Sequence, residues 1–445
     1  MPKHNTYAAG TEVLVVKEAD SPSISVDENF ADSAVIEKLV ENSFVSRPQH
    51  ELQTLAALLE SPTTLAKIDA NYWSMLAAEL VNRHQQAIKL NPLKLQTDSS
   101  LVIDYYRERY LSTFARLQME ASVGLDVFSC TQINLCLSFL RRRFSRIEEL
   151  LSDRFKKGLV RSVSNDLTCH KVAALPAAGS FSGALFLDYC NNDSPARPDD
   201  IISNLASLVV DLRARGRKEA AEKLEASYWR HFNEAQSDEF YRYQLLIQAL
   251  NLASANLLIS AEDGEEILSK YLSQALQYAY LPSDPFILLV AGKKNDQLIS
   301  VITTIAELAD LDVLDSYAQV NQEASSVLAK DMFEKVLYKL DDCLGERKSI
   351  IFPWEFGYKD DLFKFRRFIE LSKRKALIIS IDENDSDALA LDSSFPLSAD
   401  LPCLIDELTL SMDSQISHVR LDLELDPMFS ASFVIEECRC FLVKS

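Results

Sequence analysis

The chain has 445 residues, 47% of them hydrophobic, with 22 Phe, 15 Tyr and 3 Trp, enough for two or three domains with real cores and too much for wholesale disorder. A formal net charge of −20 argues against nucleic acid or an anionic membrane as a general partner. With ten glycines, of which only Gly179 and Gly183 are close together, no GxGxxG or GxxxxGK phosphate cradle can be written anywhere.

The N-terminal stretch lacks the apolar core of a signal peptide, and no run reaches the ~18 apolar residues of a membrane span, so the expectation is a cytoplasmic protein. The eight cysteines are scattered, with only Cys438 and Cys440 close together, and the six histidines have no ligand spacing. Free thiols in a reducing compartment are expected, and no zinc site.

In chain order, Thr11–Lys17 reads as a strand, followed by polar sequence to Asp32. Three- and four-residue apolar spacing predicts helices over Gln49–Leu59, Asn71–Leu90, Leu101–Ala121 and Cys130–Lys157, with Asn91-Pro92 as a break. The last helix carries Arg141, Arg142, Arg143, Arg146, Arg154, Lys156 and Lys157. It is either a solvated face pairing with Glu148 and Glu149 or a surface for an anionic partner. Leu159–Cys190 then reads as strand, polar loop, apolar run, Gly/Ser turn and strand, with Asp166 in the loop and Asp188 at the end of the last strand. Two such carboxylates suit phosphoryl transfer, one orienting a hydroxyl and one holding the magnesium on ATP. Structurally, Asp166 could instead close a turn and Asp188 could cap backbone N–H groups.

Helices are predicted over Pro198–Ala214, stopped by Gly216, and over Arg217–Asn233, Ser237–Leu258 and Glu265–Tyr280, before a Pro-rich linker at 281–285. Beyond it the texture changes. Phe286–Ala291, Ser349–Phe352 and Ala376–Ile381 are continuous apolar runs, as in strands buried on both faces of a parallel sheet. Asp296–Leu308, Ala324–Leu344 and Lys359–Ser372 are helical segments between them. An acidic, Ser-rich loop covers Asp382–Ala399, and Arg420–Leu425 and Phe433–Val443 close the domain.

Over residues 70–445 this order resembles bacterial two-domain proteins that fuse an aminoglycoside-phosphotransferase-like domain to a P-loop-kinase-like domain. The likeness is carried by Ser164-Asn165-Asp166-Leu167, by Asp188 after Leu185-Phe186-Leu187, by Asp211-Leu212-Arg213-Ala214-Arg215-Gly216, and by a strand followed by Gly292-Lys293-Lys294. It implies a fold both α/β and mainly α. Residues 1–69 would be a truncated small-lobe remnant with lead-in helices, 70–281 a kinase-like helical lobe, and 286–445 a degenerate P-loop-kinase-like domain with a parallel sheet.

The resemblance also implies Asp166 as the catalytic aspartate and Asp188 as the metal ligand, with Gly292, Lys293 and Lys294 as a vestigial nucleotide loop. Three positions depart from the family. Lys171 stands where a polar metal ligand belongs, Leu298 where the phosphate-binding lysine belongs, and Pro353 where the second strand should end in an acid. A protonated lysine cannot ligate magnesium, and loss of charge compensation removes most of the means of phosphoryl transfer.

The expected function is therefore that of a pseudoenzyme, a pseudokinase joined to a degenerate P-loop domain, acting through a protein partner and needing no cofactor. A partner surface is expected on the aromatic helices around Tyr228–Tyr243 or on the basic helix Arg141–Lys157. Two alternatives stay open. One is a residual phosphotransferase using Asp166, Asp188 and Mg-ATP. The other is a nucleotide or anion sensor without turnover, using Gly292, Lys293 and Lys294.

Overall fold

The computed structural model describes residues 53–442 apart from 66–67, 88–98, 124, 164–166, 178–179, 187–196, 233–237, 258–261, 283, 293–294, 315–328, 347, 355–358, 383–415 and 423–425. The expected strand Thr11–Lys17 and the acidic loop 382–399 beyond Asp382 lie outside the described residues. The chain divides into two compact units, Met1–Asn91 with Gly158–Gln236, and Pro92–Lys157 with Ser237–Ser445. This division differs from one drawn at the 281–285 linker, because the helices of 92–157 and 237–280 group with the C-terminal sheet.

In the first unit, β1 (Gln53–Thr54) runs into α1 (Leu55–Glu60), where Thr54 caps the helix by accepting the Ala57 N–H. A short helix, α2 (Pro62–Leu65), follows. The helix α3 (Ala70–Gln86) starts where Asp69 Oδ1 accepts the Tyr72 N–H at 2.9 Å. The strand–loop–strand–turn–strand order expected at 159–190 is present as β2 (Val160–Val163), a 3-10 turn at Cys169–Lys171, β3 (Val172–Ala177) and β4 (Ser180–Phe186). These strands do not share one sheet. β1, β3 and β4 form an antiparallel three-stranded sheet, while β2 pairs antiparallel with β5 (Arg197–Asp200).

β5 corrects the expectation of a helix from Pro198. The proline is tolerated because it sits at a non-hydrogen-bonded position. Ile201 N–H donates to the Leu159 carbonyl, so the bonded pairs alternate through 199/161 and 197/163, and the Pro198 nitrogen faces outward. The helix α6 (Ile202–Ala214) begins only after Asp200 Oδ1 has accepted the Ile202 N–H at 3.0 Å. It ends as expected at Gly216, whose φ of +71° permits the Arg217 N–H to reach back to the Leu212 carbonyl. The helix α7 (Lys218–His231) packs on α3.

The second unit contains α4 (Ser99–Val123), α5 (Val127–Lys156), α8 (Asp238–Asn256) and α9 (Glu262–Tyr280). α5 starts three residues before the expected Cys130, because Asp126 supplies the cap at the Ser129 N–H. The strands β6 (Phe286–Ala291), β7 (Asp312–Val313), β8 (Ile350–Trp354), β9 (Lys375–Asp382) and β10 (Ile416–Asp422) form one five-stranded parallel sheet in the order β10-β9-β6-β8-β7. The helices α10 (Asp296–Ala309), α11 (Ala329–Gly345), α12 (Lys359–Ser372) and α13 (Pro427–Leu442) complete it.

β6 is buried along its whole length, as its unbroken apolar run requires. Its Ile287, Leu289 and Ala291 form one core with Phe333, Val336 and Leu340 of α11 and Leu362, Phe365 and Ile369 of α12. The described residues are thus mainly helical and include a five-stranded parallel sheet. No helix among the described residues is long and apolar enough to cross a membrane.

Candidate functional site

Asp166, Asp188, Lys293 and Lys294 lie outside the described residues; Gly292, Lys171, Leu298 and Pro353 lie within them. Around the first unit's polar loop, the segment following Asp166 is anchored from α6. Leu167 and Cys169 are buried, and Asp211 Oδ2 accepts the Cys169 N–H at 2.7 Å. Asp211 Oδ1 accepts from Arg215 Nε at 3.0 Å. Arg215 in turn meets His170 Nε2 at 2.7 Å and Glu60 Oε1 at 3.5 Å. Burial, reinforced by the Asp211 carboxylate, pushes the Cys169 thiol well above its ordinary range, so it remains a protonated core group.

Asp211 and Arg215 were not singled out as site residues. The available signal was a carboxylate inside the otherwise apolar run Leu208-Val209-Val210-Asp211-Leu212. A buried acid in such a run must have designated partners. Next to this anchor, Asp199 and Asp200 are buried at the end of β5, with the Asp200 N–H donated to Asp199 Oδ1 at 2.8 Å. On α6, Ser203 Oγ, Asn204 Oδ1 and Ser207 Oγ are buried without a hydrogen-bond partner. Buried polar residues thus run from the end of β5 along α6, through Asp199, Asp200, Ser203, Asn204, Ser207 and Asp211.

In the second unit the carboxyl ends of β6 and β8 form a topological switch point. The connection from β6 through α10 runs towards β7, and that from β8 through α12 runs the opposite way to β9. Right-handed crossovers place those two helices on opposite faces, and ligands of open α/β sheets bind in the crevice that results. Gly292 sits there, its N–H donated to the Trp354 carbonyl at 3.2 Å.

Two groups in the first turn of α10 are committed within the fold. Asn295 Oδ1 accepts the Leu298 N–H at 2.7 Å, using a backbone donor that a phosphate loop would present. The Leu298 side chain is 0% exposed and belongs to the core. Pro353 is an interior residue of β8, paired with Val290, and β8 continues to Trp354. Ile351 accepts from Leu314 N–H on the β7 side, so Pro353 presents its donorless nitrogen to that side and β7 pairs no further. Nearby, Ser380 Oγ lies 2.6 Å from His418 Nε2 with Ser380 buried, and Trp354 Nε1 is buried without a hydrogen-bond partner.

Of the two expected partner surfaces, the aromatic one has most of its rings withdrawn from solvent. Tyr228, Phe232, Phe240, Tyr241 and Tyr243 are all buried. Three residues of the basic helix, Arg142, Arg146 and Arg154, are engaged by α13 and α8. Arg146 pairs with Glu149 as expected and also with Glu239 at 2.9 Å, whereas Glu148 pairs with Arg107. Arg154 is buried over the Phe240 ring at 5.1 Å. Among the described residues no group of three or more His, Cys, Asp or Glu is placed to hold a metal ion.

No protein-family model, no curated protein and no solved structure matches this chain.

Restoring the missing lysine tests the reading of α10. Leu298→Lys is expected to lower unfolding stability by about 3 kcal/mol or more, because a charge enters the core without a partner. It is also expected to bring no Mg-ATP-dependent rise in thermal midpoint. A folded variant that gains such a rise would show that the side chain can turn outward to phosphate.

Proposed function

We propose that this protein acts by binding a protein partner, as a pseudoenzyme of kinase-like and P-loop-kinase-like descent, and not by phosphoryl transfer. The observation that carries the reading is the first turn of α10. Asn295 occupies the Leu298 N–H, and Leu298 is built into the core at the point where a P-loop kinase needs a lysine at the phosphates. A central β6 followed at once by that helix, at a switch point, supports the P-loop-kinase-like resemblance in layout. In the first unit the same reading is supported by Lys171, which ends the turn anchored through Cys169 and which the resemblance aligns with a metal ligand. Phosphoryl transfer rests on positioning and charge neutralisation, and one such element is worth ~10³-fold or more.

The test is Mg-dependent ATP turnover by the purified chain against Asp166→Asn. Equal background rates are expected from both. Turnover that the substitution abolishes would establish the residual phosphotransferase instead, with Asp166 as its base.

A further inference from the structure

Three helices of the second unit bring five arginines together. On α5, Phe139, Arg142, Arg143 and Arg146 are three or four residues apart and share one face. On α8, Glu239, Arg242 and Tyr243 do the same, as do Glu436 and Arg439 on α13. The ring of Phe139 stands at the centre, with centroids 6.2 Å from Tyr243 and 5.5 Å from Tyr280, and the Arg439 guanidinium lies over it at 4.4 Å.

The carboxylates of this patch are already committed. Glu436 takes Arg142 at 2.9 Å, and Glu239 takes Arg146 at 2.9 Å while also accepting from Tyr243 Oη at 3.3 Å. Glu149 takes a second N–H of Arg146 at 3.1 Å. Arg242 is turned to the end of α9, donating to the carbonyls of Gln277, Tyr278 and Leu281. Among the described residues, no carboxylate forms an ion pair with Arg143, Arg242 or Arg439.

Arg143 thus stands one helical turn from the Phe139 ring that Arg439 covers, and Arg242 precedes the Tyr243 whose ring flanks it, in a protein that is strongly acidic overall. Burial, then the charge of Arg439, lowers Arg242 to about 10; burial, then the charge of Arg143, lowers Arg439. Arg143 is exposed and Arg439 half-buried, so both forks can be approached from solvent. Two guanidinium forks beside a third fixed positive charge match a doubly charged tetrahedral oxyanion, which can take paired N–H donors from each. A single carboxylate would leave most of the charge uncompensated.

We propose that Arg143, Arg242 and Arg439 form a binding site for a phosphate group, with Arg143 and Arg439 donating to it and Arg242 supplying field. This site is separate from the sheet's switch point and does not depend on the pseudoenzyme reading.

The experiment is calorimetric titration of the full chain with inorganic phosphate and, separately, with glycerol 3-phosphate, each against chloride at matched ionic strength. Saturable binding of phosphate is expected, weakened about tenfold or more in Arg143→Gln/Arg439→Gln, since each lost charge-assisted contact is worth at least that factor. Binding of both ligands assigns the site to a phosphate monoester, and binding of inorganic phosphate alone assigns it to the free anion. If the double variant does not fold, the exposed Arg143→Gln alone is expected to weaken binding by about tenfold. It is also expected to raise the thermal midpoint without phosphate, because like-charge repulsion is relieved. No saturable binding by the wild type, or equal affinity in wild type and variant, would overturn the proposal.

Discussion

Asp211→Ala is expected to remove about 3–5 kcal/mol of stability from the first unit, because it strips the partner from a buried ionic hydrogen-bond system. The Asp211 side chain is 1% exposed and serves two elements at once, the backbone N–H of Cys169 and the guanidinium of Arg215. Truncation takes the Asp211 acceptor from the buried Cys169 N–H and its nearest carboxylate from Arg215, for which Glu60 stands farther off at 3.5 Å. Asp211→Asn keeps an acceptor for one bond and should lose roughly half as much. Denaturant titration, with the slope checked for constancy, measures both. A loss under about 1 kcal/mol for Asp211→Ala would mean that α6 does not hold the turn after Asp166.

Acid should destabilise the same unit through His84. The ring is 0% exposed, with Nδ1 2.8 Å from Tyr228 Oη, while its own backbone carbonyl accepts from Arg161. Burial, then the Arg161 charge, lowers its pKa from 6.5 to about 3. The folded state therefore binds fewer protons than the unfolded chain between those values. The contribution of the neutral ring is complete above about pH 6.5 and is lost as the pH falls towards 3, at about 1.4 kcal/mol per unit. By about pH 4 the expected loss is roughly 3 kcal/mol. Carboxylates add their own acid sensitivity, so the readout is the difference in slope between wild type and His84→Gln from about pH 6.5 to 4. Parallel slopes would show that the ring is protonated in the fold.

Much of the fold was legible because it rests on local patterns. The run Phe286–Ala291 became the fully buried central strand, and Lys359–Ser372 became a helix with the expected ends. Gly216 stopped α6 where a left-handed residue was needed. Elements that depend on pairing alone were missed. β7 is two residues long and β5 contains a proline, so neither has a hydrophobic signature of its own. Both exist because a neighbouring strand offers them a ladder. The candidate sites divide similarly. That Leu298 cannot serve as a phosphate-binding lysine follows from its identity. That Asn295 also occupies its N–H follows only from where the helix begins.

The sequence by itself determined the strand–helix alternation, the absence of a glycine-rich phosphate cradle and the acidic character of the whole, because composition and periodicity act within a few residues of chain. Tertiary structure alone decided which charges remain unanswered. Along α5 the arginines look equivalent, yet Arg142 and Arg146 find carboxylates on α13 and α8 while Arg143 forms no ion pair among the described residues. It also decided that Tyr228, Phe232, Phe240, Tyr241 and Tyr243 are buried, and that Asp211 holds a turn some forty residues earlier in the chain. Charge compensation and burial are set by distances across the fold, and no local spacing encodes them.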